Sequence, residues 1–116
     1  MDEKRFRELV GEALDSLPLE FAKKLNNVSI VVEDAPTETQ RKKLNLAPNI
    51  LLFGLYEGVP QIKRGYYSGA LPDKITIFKN SIEIVSRTEE EVKAQVRSTV
   101  MHEIGHHFGL SEEELR

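Results

Sequence analysis

The chain has 116 residues, 40% hydrophobic and 30% charged, which suits one domain over residues 1–116 with a single modest core and leaves no room for a second. It contains no Cys, so disulfides, thiol nucleophiles and thiolate-held zinc or iron–sulfur sites are excluded, and any metal must rest on His and carboxylates. A balance of 16 basic against 19 acidic residues gives a formal net charge of −3 without a long basic run, which argues against a nucleic-acid partner.

The opening Met1 to Val10 (MDEKRFRELV) is charged where a signal peptide would be apolar, and the longest apolar stretch, near Ile50 to Tyr56, is too short to span a bilayer. A soluble, cytoplasmic protein with no membrane partner is expected. Phe6, Leu9, Val10, Ala13, Leu14 and Leu17 follow the three-and-four spacing of one buried helix face, which Pro18 stops. Pro18 then opens a short second helix that packs Phe21 and Leu25, and Asn26-Asn27 turns the chain. Val28, Ile30 and Val32 alternate with Ser29, Val31 and Glu33, as in a strand that Asp34-Ala35-Pro36 ends. Thr37 with Gln40 makes a capping box for one or two helical turns carrying Arg41, Lys42 and Lys43, whose cations read as a solvated face.

Ile50 to Tyr56 is apolar on both alternating faces, which predicts a strand central in the sheet. Gly54, Gly58 and Pro60 break that segment, and Arg64 to Asp73 (RGYYSGALPD) reads as a loop before a further strand, Lys74 to Phe78. Ser81 to Ser86 (SIEIVS) fits a short strand and a single helical turn equally. Thr88 with Glu91 makes a second capping box, and Val92, Val96, Val100, Ile104 and Phe108 recur every four residues, which predicts a long helix that Gly109 ends.

All three His fall in Met101 to Leu110 (MHEIGHHFGL), where His102-Glu103-Ile104-Gly105-His106 forms an HExxH string on that helix. Residues four apart stand one above the other, so His102 and His106 can present ring nitrogens to one ion, a set suited to a single Zn2+. Glu103 lies about 100° round the axis, beside the ligands, where a carboxylate can act as general base on a metal-bound water. His107 points elsewhere and reads as a packing or helix-end residue. Tetrahedral catalytic zinc needs a third protein ligand. Against the spacing HExxHxxGxxH that position falls on Glu112, brought back by a turn at Gly109, with Glu113, Glu114 and Asp73 in reserve. Tyr56, Tyr66 and Tyr67 are candidate hydrogen-bond donors to a developing oxyanion, although Tyr in or beside a strand is more often plain packing; Arg64 and Asp73 carry the same ambiguity.

These residues resemble the minimal zincin-like zinc metallopeptidases of bacteria, with their HExxHxxGxxD/E motif. The resemblance covers most of the chain: Leu51 to Pro60 (LLFGLYEGVP), Leu71 to Phe78 (LPDKITIF) and, most specifically, Thr99 to Leu115 (TVMHEIGHHFGLSEEEL). In that family an Asp usually fills the third-ligand position, where this chain has the longer Glu112. Members are similar to metzincins in the zinc motif and lack the Met-turn and lower subdomain, so the resemblance implies a zinc site on a scaffold without a deep cleft.

The expected architecture is α+β: a small mixed β-sheet packed on helices, with the helix from Thr88 to Phe108 supplying the metal face. The expected function is zinc-dependent hydrolysis of a peptide or protein substrate lying along an exposed strand edge, Lys74 to Phe78. The alternative is a non-catalytic module in which the metal only fastens the tail to the helix, with Glu113, Glu114 or Asp73 closing the site.

Overall fold

In the computed structural model, residues 1–58 and 73–108 are described. Helix α1 (Glu3–Asp15) starts where the Asp2 side chain accepts a hydrogen bond from the Arg5 backbone N–H at 2.8 Å, and buries Phe6, Leu9, Val10 and Ala13. Leu14, predicted on the same face, is only partly buried. Pro18 caps α2 (Leu19–Lys24), which anchors Phe21. Asn27 takes a left-handed φ of 64°, a conformation Asn tolerates better than most residues, and the chain turns there into β1 (Val28–Glu33). The predicted capping box is formed: the Thr37 hydroxyl accepts from the Gln40 N–H, and Gln40 returns an acceptor to the Thr37 N–H, opening α3 (Glu38–Lys43).

Strands β2 (Gly54–Glu57) and β3 (Asp73–Phe78) complete a mixed sheet of order β1-β3-β2. β1 runs parallel to β3 with Val28 opposite Asp73 and Glu33 opposite Phe78; β2 runs antiparallel with Gly54 opposite Ile77. Two expectations are overturned here. Lys74 to Phe78 is the central strand and not an edge, and among the described residues the segment around Ile50 to Tyr56 supplies an outer strand of four residues and not the centre. The physical reason is burial on both faces: Ile75, Thr76, Ile77 and Phe78 are fully enclosed, whereas Ile50 and Leu51 remain 46% and 39% exposed.

The ambiguous Ser81 to Ser86 lies mostly in helix α4 (Lys79–Val85). A strand there would bury Ile82 and Ile84 alike; Ile82 is enclosed and Ile84 exposed, and Lys79 pairs with Glu83 one turn on at 2.6 Å. Helix α5 (Glu89–Phe108) follows Thr88, whose hydroxyl accepts from the Glu91 N–H. The Glu91 carboxylate accepts from Arg87 N–H, one residue before the partner expected of a capping box. Val92, Val96, Val100 and Ile104 enter one core with Phe6, Leu9 and Phe21, and with Ile75 and Ile77 of β3. Phe108 departs from the predicted stripe: it is 45% exposed, with the Lys24 ammonium 5.0 Å from its ring centre. Among the described residues no helix is long and apolar enough to cross a membrane.

Candidate metal centre

The site is built where α5 passes β2. Gly54 lets the two approach: a Cβ there would stand 2.5 Å from Thr99 Cγ2 and 3.1 Å from the Thr76 carbonyl oxygen, so only a residue without a side chain fits between helix and central strand. That contact brings Tyr56, two residues further along β2, level with the HExxH turn.

His102 and His106 project from successive turns of α5, both exposed, with ring centroids 6.1 Å apart and planes inclined by 25°. Glu103, on the neighbouring stripe, is half-buried, and its Oε1 accepts a hydrogen bond of 2.9 Å from the Tyr56 backbone N–H. Burial pushes the Glu103 carboxyl above the ordinary carboxylate range, opposed by that N–H and by the two imidazoles. A shallow groove of about 220 Å³ lies between residues 51–54 and α5, lined on the helix side by Gln95, Ser98, Thr99, His102 and Glu103.

Two imidazoles on one exposed helix face, with a carboxylate alongside that is not aimed between them, are a donor set that fits one zinc-type ion. Among the described residues no group of three His, Cys, Asp or Glu side chains is gathered tightly enough to hold a metal. Glu112, Glu113 and Glu114 lie outside the described residues, as do Gly109, Arg64, Tyr66 and Tyr67. Asp73, the remaining reserve, opens β3, where it is buried and accepts a 2.7 Å hydrogen bond from the Tyr56 hydroxyl. That hydroxyl, a candidate oxyanion donor in the sequence, is thus directed at a carboxylate.

His107 does pack, as its position implied. Its ring stacks on Tyr56 at 4.0 Å with 13° between planes, meets Phe108 edge-on at 4.9 Å, and brings Nε2 to 3.8 Å from Asp73 Oδ2. Sequence reasoning missed that Tyr56 joins the two sides of this arrangement. The available signal was the four-residue spacing of Glu103 and His107, which puts them on one stripe of the helix facing a common neighbour.

The profile of a family described as zincin-like metallopeptidase matches residues 25–116. No curated protein matches the chain. Among solved structures, a conserved hypothetical protein from Thermus thermophilus is similar at 21% identity, with a TM-score of 0.59, over 93% of this chain and 94% of the other. At that identity the likeness is one of fold alone.

Proposed function

Because the chain belongs to the zincin-like metallopeptidase family, we propose that it hydrolyses peptide bonds with one zinc ion held by His102 and His106 and, from the segment after α5, by Glu112. The observation that carries this reading is the HExxH turn itself: two exposed imidazoles one turn apart, beside a half-buried carboxylate that a backbone N–H fixes at 2.9 Å. Zinc in such a setting lowers the pKa of a bound water to about 7 and polarises a carbonyl.

The chain's own residues supply the proton handling. Glu103 takes the proton of the attacking water and passes it to the leaving amine, and the Tyr56 N–H keeps its carboxylate from swinging away. The groove beside Glu103, about 220 Å³, is smaller than the roughly 300–1,000 Å³ of enclosed small-molecule sites, which favours an extended peptide laid across the surface. The strand such a peptide would follow is β2, packed against α5 and outermost on its side among the described residues, and not Lys74 to Phe78, which is paired on both sides.

The test is Glu103→Gln, with zinc content and peptide cleavage measured on the same preparation. Retained zinc with cleavage reduced at least about 100-fold is expected. Unchanged turnover would remove the mechanism. Zinc whose chelation lowers Tm in a protein that cuts no peptide would instead make the site a structural fastener.

A further inference from the structure

The apolar stripe of α5 ends at Ile104, which is fully buried, while Phe108 one turn later is 45% exposed. Hydrophobic packing therefore holds the helix as far as Ile104 and Gly105, and the residues that follow, His106 to Phe108, are exposed. Around the HExxH turn the helix meets the sheet mainly at Tyr56, and His107 Nε2 also comes to 3.8 Å from Asp73 Oδ2 on β3. The Tyr56 main chain holds Glu103, its ring lies flat on His107 at 4.0 Å, and its hydroxyl is anchored to Asp73 at the start of the central strand. Gly58 adjoins the same cluster: a Cβ there would stand 3.6 Å from Asp73 Oδ1 and 3.8 Å from His107 Cε1. Glu103 and His107 are four residues apart and share a stripe; His102 and His106, also four apart, share the next one. Holding the first stripe at two points one turn apart sets the direction of the second.

We propose that Tyr56, Asp73 and His107 form a positioning device for the metal-binding turn: Tyr56, anchored on Asp73, grips Glu103 and His107 and so fixes the rotation of α5 that aims His102 and His106 at one point. This rests on the reading of His102 and His106 as metal ligands. None of the three residues touches the metal in this proposal; each acts through the helix.

The experiment measures zinc affinity by competition with a chromophoric chelator, and hydrogen exchange at the Tyr56 amide in metal-free protein, for wild type, His107→Ala, His107→Phe and Tyr56→Phe. Loss of the ring in His107→Ala is expected to weaken zinc by about 10- to 100-fold and to speed exchange at Tyr56 by about tenfold. The flat ring of His107→Phe restores most of both, and Tyr56→Phe falls between. A purely structural role would lower Tm and leave the zinc affinity of the folded variants alone. Equal zinc affinity and unchanged exchange in His107→Ala overturn the inference, and should that variant not fold, wild-type affinity in Tyr56→Phe does the same. Wild-type protein that takes up no zinc overturns the metal reading and this inference together, whereas zinc uptake indifferent to these substitutions overturns the inference only.

Discussion

From Glu89 to Val100, α5 is buried along Val92, Val96 and Val100, and at its start Glu89 receives both the Nε and Nη2 hydrogens of Arg5 at 2.8 and 2.7 Å. From Met101 to Phe108 the same helix exposes His102, His106, His107 and Phe108 and meets β2 through a hydrogen bond and a ring stack. The first stretch is held by removal of apolar surface, which fixes where the helix lies and tolerates small shifts; in the second, burial continues only at Ile104 and Gly105, and directional contacts are added that fix where side chains point. Stability and site geometry are thereby separated along one helix, and substitutions in the two stretches should be told apart by what they damage.

The largest effect belongs to the buried stretch. Phe6 of α1 is fully enclosed in the core it shares with α5, and Phe6→Ala is expected to cost about 3–5 kcal/mol in chemical denaturation. Any Phe6→Ala protein that remains folded should still bind zinc as wild type does. A loss of zinc affinity as large as that of His107→Ala would erase the distinction between the stretches. Gly54→Ala probes the boundary. Its new methyl group meets Thr99 Cγ2 at 2.5 Å, so a destabilisation of about 1–3 kcal/mol is expected, with β2 pushed off the helix and the Tyr56–Glu103 hydrogen bond lengthened. Adding Thr99→Ser, which removes that Cγ2, should recover part of the loss and leave the 3.1 Å approach to the Thr76 carbonyl in force. A crystal structure and a denaturation curve of each variant decide it.

The smallest effect is electrostatic and lies at the start of α5. The Arg5 guanidinium, hydrogen-bonded to Glu89, holds that carboxyl below its ordinary range. A folded pKa below the unfolded one means that the pair's contribution is complete above the unfolded value of about 4.3 and disappears as pH falls through the folded value. Between pH 5 and 3 the Tm of wild type should therefore fall slightly more than that of Arg5→Gln, and 0.5 M salt should shrink the difference, because both side chains are substantially exposed. Parallel acid titrations of the two proteins measure it.

Helices α1, α3 and α5 were legible in the sequence because each is announced by local chemistry: the spacing of Phe6 to Ala13, the Thr37 capping box, and the four-residue recurrence of Val92 to Ile104. Helix α4 was not, because Ile82 and Ile84 alternate as they would in a strand. Nor was the order of the strands. Ile50 to Tyr56 and Lys74 to Phe78 are both apolar enough to be central, and what separates them is which is enclosed on both faces, set by long-range packing such as the fit of Gly54 against Thr99, 45 positions away, that no local pattern encodes. At the site, the placement of the imidazole pair and of Glu103 on adjoining stripes of α5 was readable from spacing alone. The part played by His107 was readable only as packing, since its partners Tyr56 and Asp73 come from two different strands. Glu112 rests on motif spacing and lies outside the described residues.

The parallel pairing of β1 with β3, Val28 opposite Asp73, also bears on how the chain finds its fold. Bringing those ends together closes a span of about 45 residues at an entropic cost of about 3 kcal/mol or more, before any ladder hydrogen bond is gained. Helical turns close over four residues, so the slow step of refolding should be strand docking onto helices already nucleated, visible as a rate that Ile75→Val lowers and that a substitution on the exposed face of α3 leaves untouched.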